Sequence, residues 1–138
     1  MGDGVTVAAL AAVNAAGDIV DAHGNIIAGA HLPDGTFADA IAIITSGAAR
    51  TAPMRNTTLV CVATDARLTK AEATRVAMSA HDGLARAIRP SHTPFDGDTV
   101  FALSCGEKTG ILSALGAAAA EVTAMAIRRA VEFSRERT

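Results

Sequence analysis

The run Leu59-Val60-Cys61-Val62-Ala63 is apolar at every position, and a helix-start signal follows it within a few residues. Thr57 to Thr64 therefore reads as a buried strand, central in its sheet. Thr69-Lys70-Ala71-Glu72 has the Thr-x-x-Glu spacing of a capping box. Beyond it Ala73, Val76, Ala77, Ala80, Leu84, Ala87 and Ile88 recur every three or four residues until Pro90. That stripe predicts a helix from about Lys70 to Arg89 with one face laid on a sheet. Thr99 to Ser104 is a second buried-strand candidate. A second helix is predicted from about Ser113 to Ser134, with Val122, Met125, Ala126, Ala130 and Phe133 inward.

Upstream, Thr6 to Val13 is small and apolar, which suits a strand covered on both faces as much as a short helix, and Asn14 to Gly17 reads as its turn. Ile19-Val20 and Ile26-Ile27-Ala28 flank His23-Gly24-Asn25, the pattern of a hairpin or meander. Gly29 to Arg55 mixes turn signals with one apolar concentration, Phe37 to Ile44, and predicts a surface loop with one helical turn. The class is α/β, with each long helix suited to cover a sheet. The 138 residues suit one domain. Thirty-two of them are Ala and the four aromatics are all Phe, so the core must be built from small side chains at closely approaching elements.

Twelve basic and fourteen acidic side chains are scattered and give a net charge of −2, which points to neither nucleic acid nor an anionic membrane. No run approaches the roughly 18 apolar residues of a membrane span. The N-terminus, with Asp3, lacks the basic flank of a signal peptide, and a cytoplasmic location is expected. Cys61 and Cys105 lie in apolar segments outside any Cys-x-x-Cys pattern and are expected to be buried free thiols.

Asn56-Thr57-Thr58 places a hydroxyl at the mouth of the central strand, after a loop able to bend a carbonyl toward it. The same letters match an ordinary turn and a glycosylation sequon. If the Asn56–Thr57 bond breaks, Thr57 gains an α-amine with an unperturbed pKa of roughly 7.7 to 8.0, so one residue carries nucleophile and general base. Asp96-Gly97-Asp98 reads either as a glycine turn entering a strand or as two carboxylates, one to orient the hydroxyl and one to hold the new ammonium. A calcium loop would need further oxygen ligands. His23, His31, His81 and His92 show no metal-ligand spacing, and no cofactor is expected. His81 reads as structural, and His92, in the loop leading to Asp96, reads either as a loop residue or as one that lines a pocket. No Gly-x-Ser-x-Gly elbow is present.

From Asn56-Thr57-Thr58-Leu59 through Val62-Ala63-Thr64-Asp65-Ala66, Ala80-His81-Asp82-Gly83-Leu84 and His92-Thr93-Pro94-Phe95-Asp96-Gly97-Asp98-Thr99-Val100-Phe101-Ala102-Leu103, the chain resembles the L-aminopeptidase/D-esterase group, which includes β-aminopeptidases and nylon-oligomer hydrolases. Val13-Asn14-Ala15, Gly17-Asp18 and Ile26-Ile27-Ala28-Gly29-Ala30 are similar too. The resemblance implies an αββα sandwich of the self-processing N-terminal-nucleophile type, only partly encoded here. It implies cleavage between Asn56 and Thr57, with residues 1–56 the end of the first segment and residues 57–138 the second. By the same matching, Asp96 and Asp98 orient the nucleophile and its amine, and Asn14 helps hold the oxyanion. Ala8 stands where the family usually has Gly. The likeness covers the C-terminal portion of a family member, whose longer upstream part carries a Tyr that this chain lacks.

Three functions remain open on the sequence: a hydrolase of small peptides, amides and esters through an acyl-enzyme on Thr57; an inactive fragment or subunit that needs a partner chain; and a Thr-dependent acyltransferase. Sheet completion favours a homo-oligomer or association with the missing N-terminal segment.

Overall fold

The computed structural model describes residues 4–47, 56–94 and 96–136. Its middle is a three-stranded sheet in which β4 (Thr57–Ala66) lies between β1 (Val7–Asn14) and β6 (Thr99–Lys108). The apolar run is thus central, as its composition requires. β1 pairs with it antiparallel and β6 parallel. The parallel step is made by α2 (Lys70–Ala87), which ends in the two-residue β5 (Ile88–Arg89), and α3 (Leu112–Arg135) follows β6. A second sheet, ordered β3-β2-β5, joins β2 (Asp18–Val20) and β3 (Ile26–Ala28) to β5, and α1 (Ala40–Thr45) is the helical turn of the long loop. Of the predicted surface loop from Gly29 to Arg55, residues 48–55, next to the expected cleavage point, lie outside the described residues.

Both long helices lie on one face of the central sheet, α2 toward β6 and α3 toward β1. Even-numbered side chains of β4 point into this layer: Val60, Val62 and Ala66 join Val76, Ala80, Leu84, Leu115, Ala119 and Ile127 in the core. The small-residue composition is used where the helices cross. A Cβ added at Gly83 would meet the Ala120 carbonyl and stand 2.7 Å from Thr123 Cβ, so the backbones approach at a distance only glycine permits.

α2 starts at the predicted cap, where the Thr69 N–H donates to Glu72 Oε2 at 2.8 Å and the Glu72 N–H to Thr69 Oγ1 at 3.3 Å. It stops two residues short of Arg89, because the residue before a proline is pushed toward extended backbone and Ile88 is already extended, pairing with Ile19. β1 runs one residue beyond Val13, so Asn14 is strand rather than turn. β6 continues past Ser104 to Lys108, whose ammonium donates to the Gly4 carbonyl at 2.6 Å and to Asp65 Oδ2 at 2.8 Å.

Three burial expectations are corrected. α3 buries Leu115, Gly116, Ala119, Ala120, Thr123, Ala124 and Ile127, while Met125 and Phe133 are exposed. The close crossing with α2 selects the small-residue face and turns the bulky residues out. Cys61 is half-buried and Cys105 exposed, both free. The outer face of the central sheet is open: Leu10 is 75% exposed, Phe101 57% and Leu103 50%, although their strands read as covered on both sides. The architecture is thus a mixed α/β one, of two small sheets with packed helices.

Candidate active site

Parallel pairing of β4 with β6 brings the starts of both strands together, and antiparallel pairing with β1 brings the end of β1 to the same place. Thr57 lies opposite Asn14 in the register, so their side chains share a face. Thr58 is fully buried, and alternation along the strand therefore turns Thr57 to the outer face.

On the other side stands the turn before β6. Asn56 forms a parallel bridge with Asp96, and the Gly97 N–H donates to the Asn56 carbonyl at 2.9 Å. A Cβ built on Gly97 would stand 2.8 Å from Thr57 Oγ1. Gly97 thus lies beside the hydroxyl, with room left by its missing side chain, and is hydrogen-bonded to the carbonyl of the bond expected to break. Asp98 points a carboxylate oxygen, Oδ1, at the Thr58 N–H, 2.8 Å away. Asp96 is engaged within its own turn, where Oδ2 accepts from the Thr93 N–H and hydroxyl, both at 2.8 Å. The structure therefore gathers Asn14, Asn56, Thr57, Asp96 and Asp98 in one place. Asp96 shapes the turn, and Asp98 fixes the peptide that follows Thr57.

His92, which the sequence placed in the loop before Asp96 as a loop or pocket-lining residue, adjoins this group. Its Nδ1 lies 3.5 Å from Asp98 Oδ2, whose side chain is only 6% exposed, and its ring packs 5.0 Å from that of His81. Burial holds His81 below the ordinary histidine value, with the neighbouring His92 charge acting in the same direction and Asp98 and Asp82 opposing it. Nothing in residue spacing pairs His92 with Asp98, because a left-handed backbone at His92, φ 56°, aims the ring. A cleft of about 580 Å³ opens beside Asn14, lined by Ile27, His31, Phe37, Val131 and Arg135 among others. Among the described residues no group of three or more His, Cys, Asp or Glu is placed to hold a metal ion, and no helix is long and apolar enough to cross a membrane.

A hydroxyl side chain at a strand start, carboxylates across a glycine turn and an amide on the facing strand are thus brought together. The chain belongs to peptidase family S58, whose model matches residues 1–137. It is 41% identical to an uncharacterised aminopeptidase of Mycobacterium bovis, over 90% of this chain and 43% of that protein. It is also 41% identical to one of Mycobacterium leprae, over 93% and 41% respectively. A 6-aminohexanoate-oligomer endohydrolase of Kocuria is 38% identical over 49% of this chain and 22% of that protein. The chain thus spans less than half the length of the curated relatives it matches.

Proposed function

We propose that this chain carries the self-processing nucleophile of an amide and ester hydrolase, Thr57, acting on short peptides or amide oligomers. The observation that carries the reading is the placement of Gly97, beside Thr57 Oγ1 and hydrogen-bonded to the Asn56 carbonyl. In the first step Thr57 Oγ attacks the Asn56 carbonyl carbon, and the Gly97 N–H stabilises the oxygen as it becomes negative. Such a donor is commonly worth about 3 to 4 kcal/mol. The C–N bond breaks, the hydroxyl proton passes to the leaving nitrogen, and an ester joins Asn56 to Thr57. Water then releases residues 1–56 and 57–138. The freed α-amine serves as base for the same hydroxyl toward substrate, with Asn14 as amide donor to the substrate oxyanion and Asp98 as the nearby negative charge.

The relatives named aminopeptidase and 6-aminohexanoate-oligomer endohydrolase support this substrate class. Intact mass of the purified chain tests it, with Thr57→Ala as the uncut control. Finding only full-length chain, under conditions in which a longer relative processes, would remove the reading.

The exposed outer face motivates a second reading. Leu10, Leu59, Phe101 and Leu103 lie on the same side of the sheet as Thr57 and form an apolar patch of the kind that marks an interaction surface. A second sheet laid there would complete an αββα sandwich and enclose Thr57, so activity would depend on association with another copy or with further polypeptide. Light scattering after size exclusion separates the two: a monodisperse monomer speaks against the partner-dependent form.

A further inference from the structure

We propose that His92 is a positioning residue, holding Asp98 so that this carboxylate in turn fixes the peptide plane from which Thr57 projects. The inference deepens the reading of Thr57 as nucleophile and rests on it. Asp98 has two oxygens with different tasks: Oδ1 takes the Thr58 N–H at 2.8 Å, and Oδ2 faces His92 Nδ1 at 3.5 Å. A carboxylate held at one oxygen can rotate about its last bond. One held at both cannot, and the Thr57–Thr58 peptide is then fixed from the helix-covered side of the sheet.

The ring is itself braced. His92 Nε2 lies 3.5 Å from the His81 carbonyl at the middle of α2, and the two imidazoles pack at 5.0 Å. Both ring nitrogens thus face acceptors, a carboxylate and a carbonyl. An imidazolium satisfies both, and the Nδ1–H tautomer satisfies Asp98. The backbone at His92 has a φ of 56°, in the left-handed region that histidine, asparagine and aspartate enter more readily than most residues other than glycine. His92 and Asp98 thereby tie helix α2 to the start of β4.

Two substitutions separate the ring's contact with Asp98 from its backbone. His92→Gly accepts the left-handed φ and has no donor. His92→Asn also tolerates that φ and carries Nδ2 the same number of bonds from the backbone as Nδ1. Hydrogen exchange of the Thr58 amide, measured by NMR on the full chain, reports the Asp98 contact whether or not the chain cuts itself. His92→Gly is expected to speed that exchange about tenfold, the scale of one charge-assisted hydrogen bond. It should slow the release of residues 57–138 by a similar factor, and His92→Asn should restore both. Unchanged Thr58 exchange in His92→Gly, or equal loss in the two variants, overturns the proposal.

A further measurement leaves position 92 untouched and decides the matter should His92→Gly fail to fold. The His92 ring signals should move in Asp98→Asn and stay in place in Asp96→Asn, whereas no response to Asp98→Asn, or an equal response to both, overturns it. If wild type stays uncut like Thr57→Ala, the nucleophile reading falls. The Thr58 exchange and ring signals then still decide the positioning.

Discussion

Gly97→Ala puts the site's geometry at risk while leaving its hydrogen bond in place. The added Cβ would stand 2.8 Å from Thr57 Oγ1 but 3.8 Å from Thr57 Cβ and Cγ2, so the hydroxyl alone is in the way. Ordinary van der Waals contact begins at 3.4 Å, and the oxygen must retreat by the difference. A turn on the order of 30° about χ1 achieves this and costs about 0.5–1.5 kcal/mol. Gly97 does not have the left-handed φ that would strain an alanine, and its N–H stays on the Asn56 carbonyl. Stability should therefore fall by no more than about 1.5 kcal/mol. Reactivity is more sensitive, since a displacement of about 1 Å can cost a hundredfold and a little over half of that should slow cleavage roughly tenfold. Pulsed cell-free synthesis followed by intact mass gives the rate at which residues 57–138 appear, with Thr57→Ala as zero. Wild-type cleavage in Gly97→Ala would show that the attacking oxygen does not lie over this glycine, and the proposed geometry would be wrong.

At the α2–α3 crossing, Gly83→Ala should lower the urea midpoint with little change in its slope. Alanine favours a helix over glycine by about 1 kcal/mol, but its methyl meets the Ala120 carbonyl and Thr123, and overpacking of this kind costs typically about 1–3 kcal/mol, occasionally more. A raised midpoint would refute the close-contact argument. His81 supplies a pH test. Burial keeps its folded value below the ordinary 6.5, so above that pH it contributes no pH dependence. As pH falls through 6.5 the unfolded chain takes the proton first, and stability drops until the folded value is also passed. His81→Gln should lose less stability than wild type between pH 7 and 5, roughly the range spanning the histidine value; parallel losses would show that burial of His81 is not the cause.

What the sequence made legible was local. The Thr69–Glu72 cap lies within four residues, and the period of Val76, Ala80 and Leu84 records the buried side of α2. The inner face of α3 was not legible, because the face that packs is chosen by glycines and alanines, which carry little hydrophobic signal, while Met125 and Phe133 advertise a face left in solvent. Likewise Leu59, Phe101 and Leu103 alternate with equally apolar neighbours, and composition alone does not say which set is covered. Of the site, the residues themselves could be named from the resemblance. The contact of His92 with Asp98 could not be read, since it depends on one backbone angle in a loop.

Topology explains why chemistry gathers where it does. A parallel neighbour reached through a helix places its own entry turn beside the start of the first strand, so Asp96, Gly97 and Asp98 arrive next to Asn56 and Thr57 through β4–β6 pairing. The antiparallel neighbour delivers its last residue, Asn14, to the same point. The arrangement is therefore as secure as the register, and the register is fixed by Thr58, Val60, Val62 and Ala66 facing the helices. A slip by one residue would bury the Thr57 hydroxyl and turn the Thr58 side chain outward, exchanging every apolar anchor of β4 at the same time. The hydrophobic pattern that folds the strand is thus the same constraint that decides which of two adjacent threonines meets Gly97.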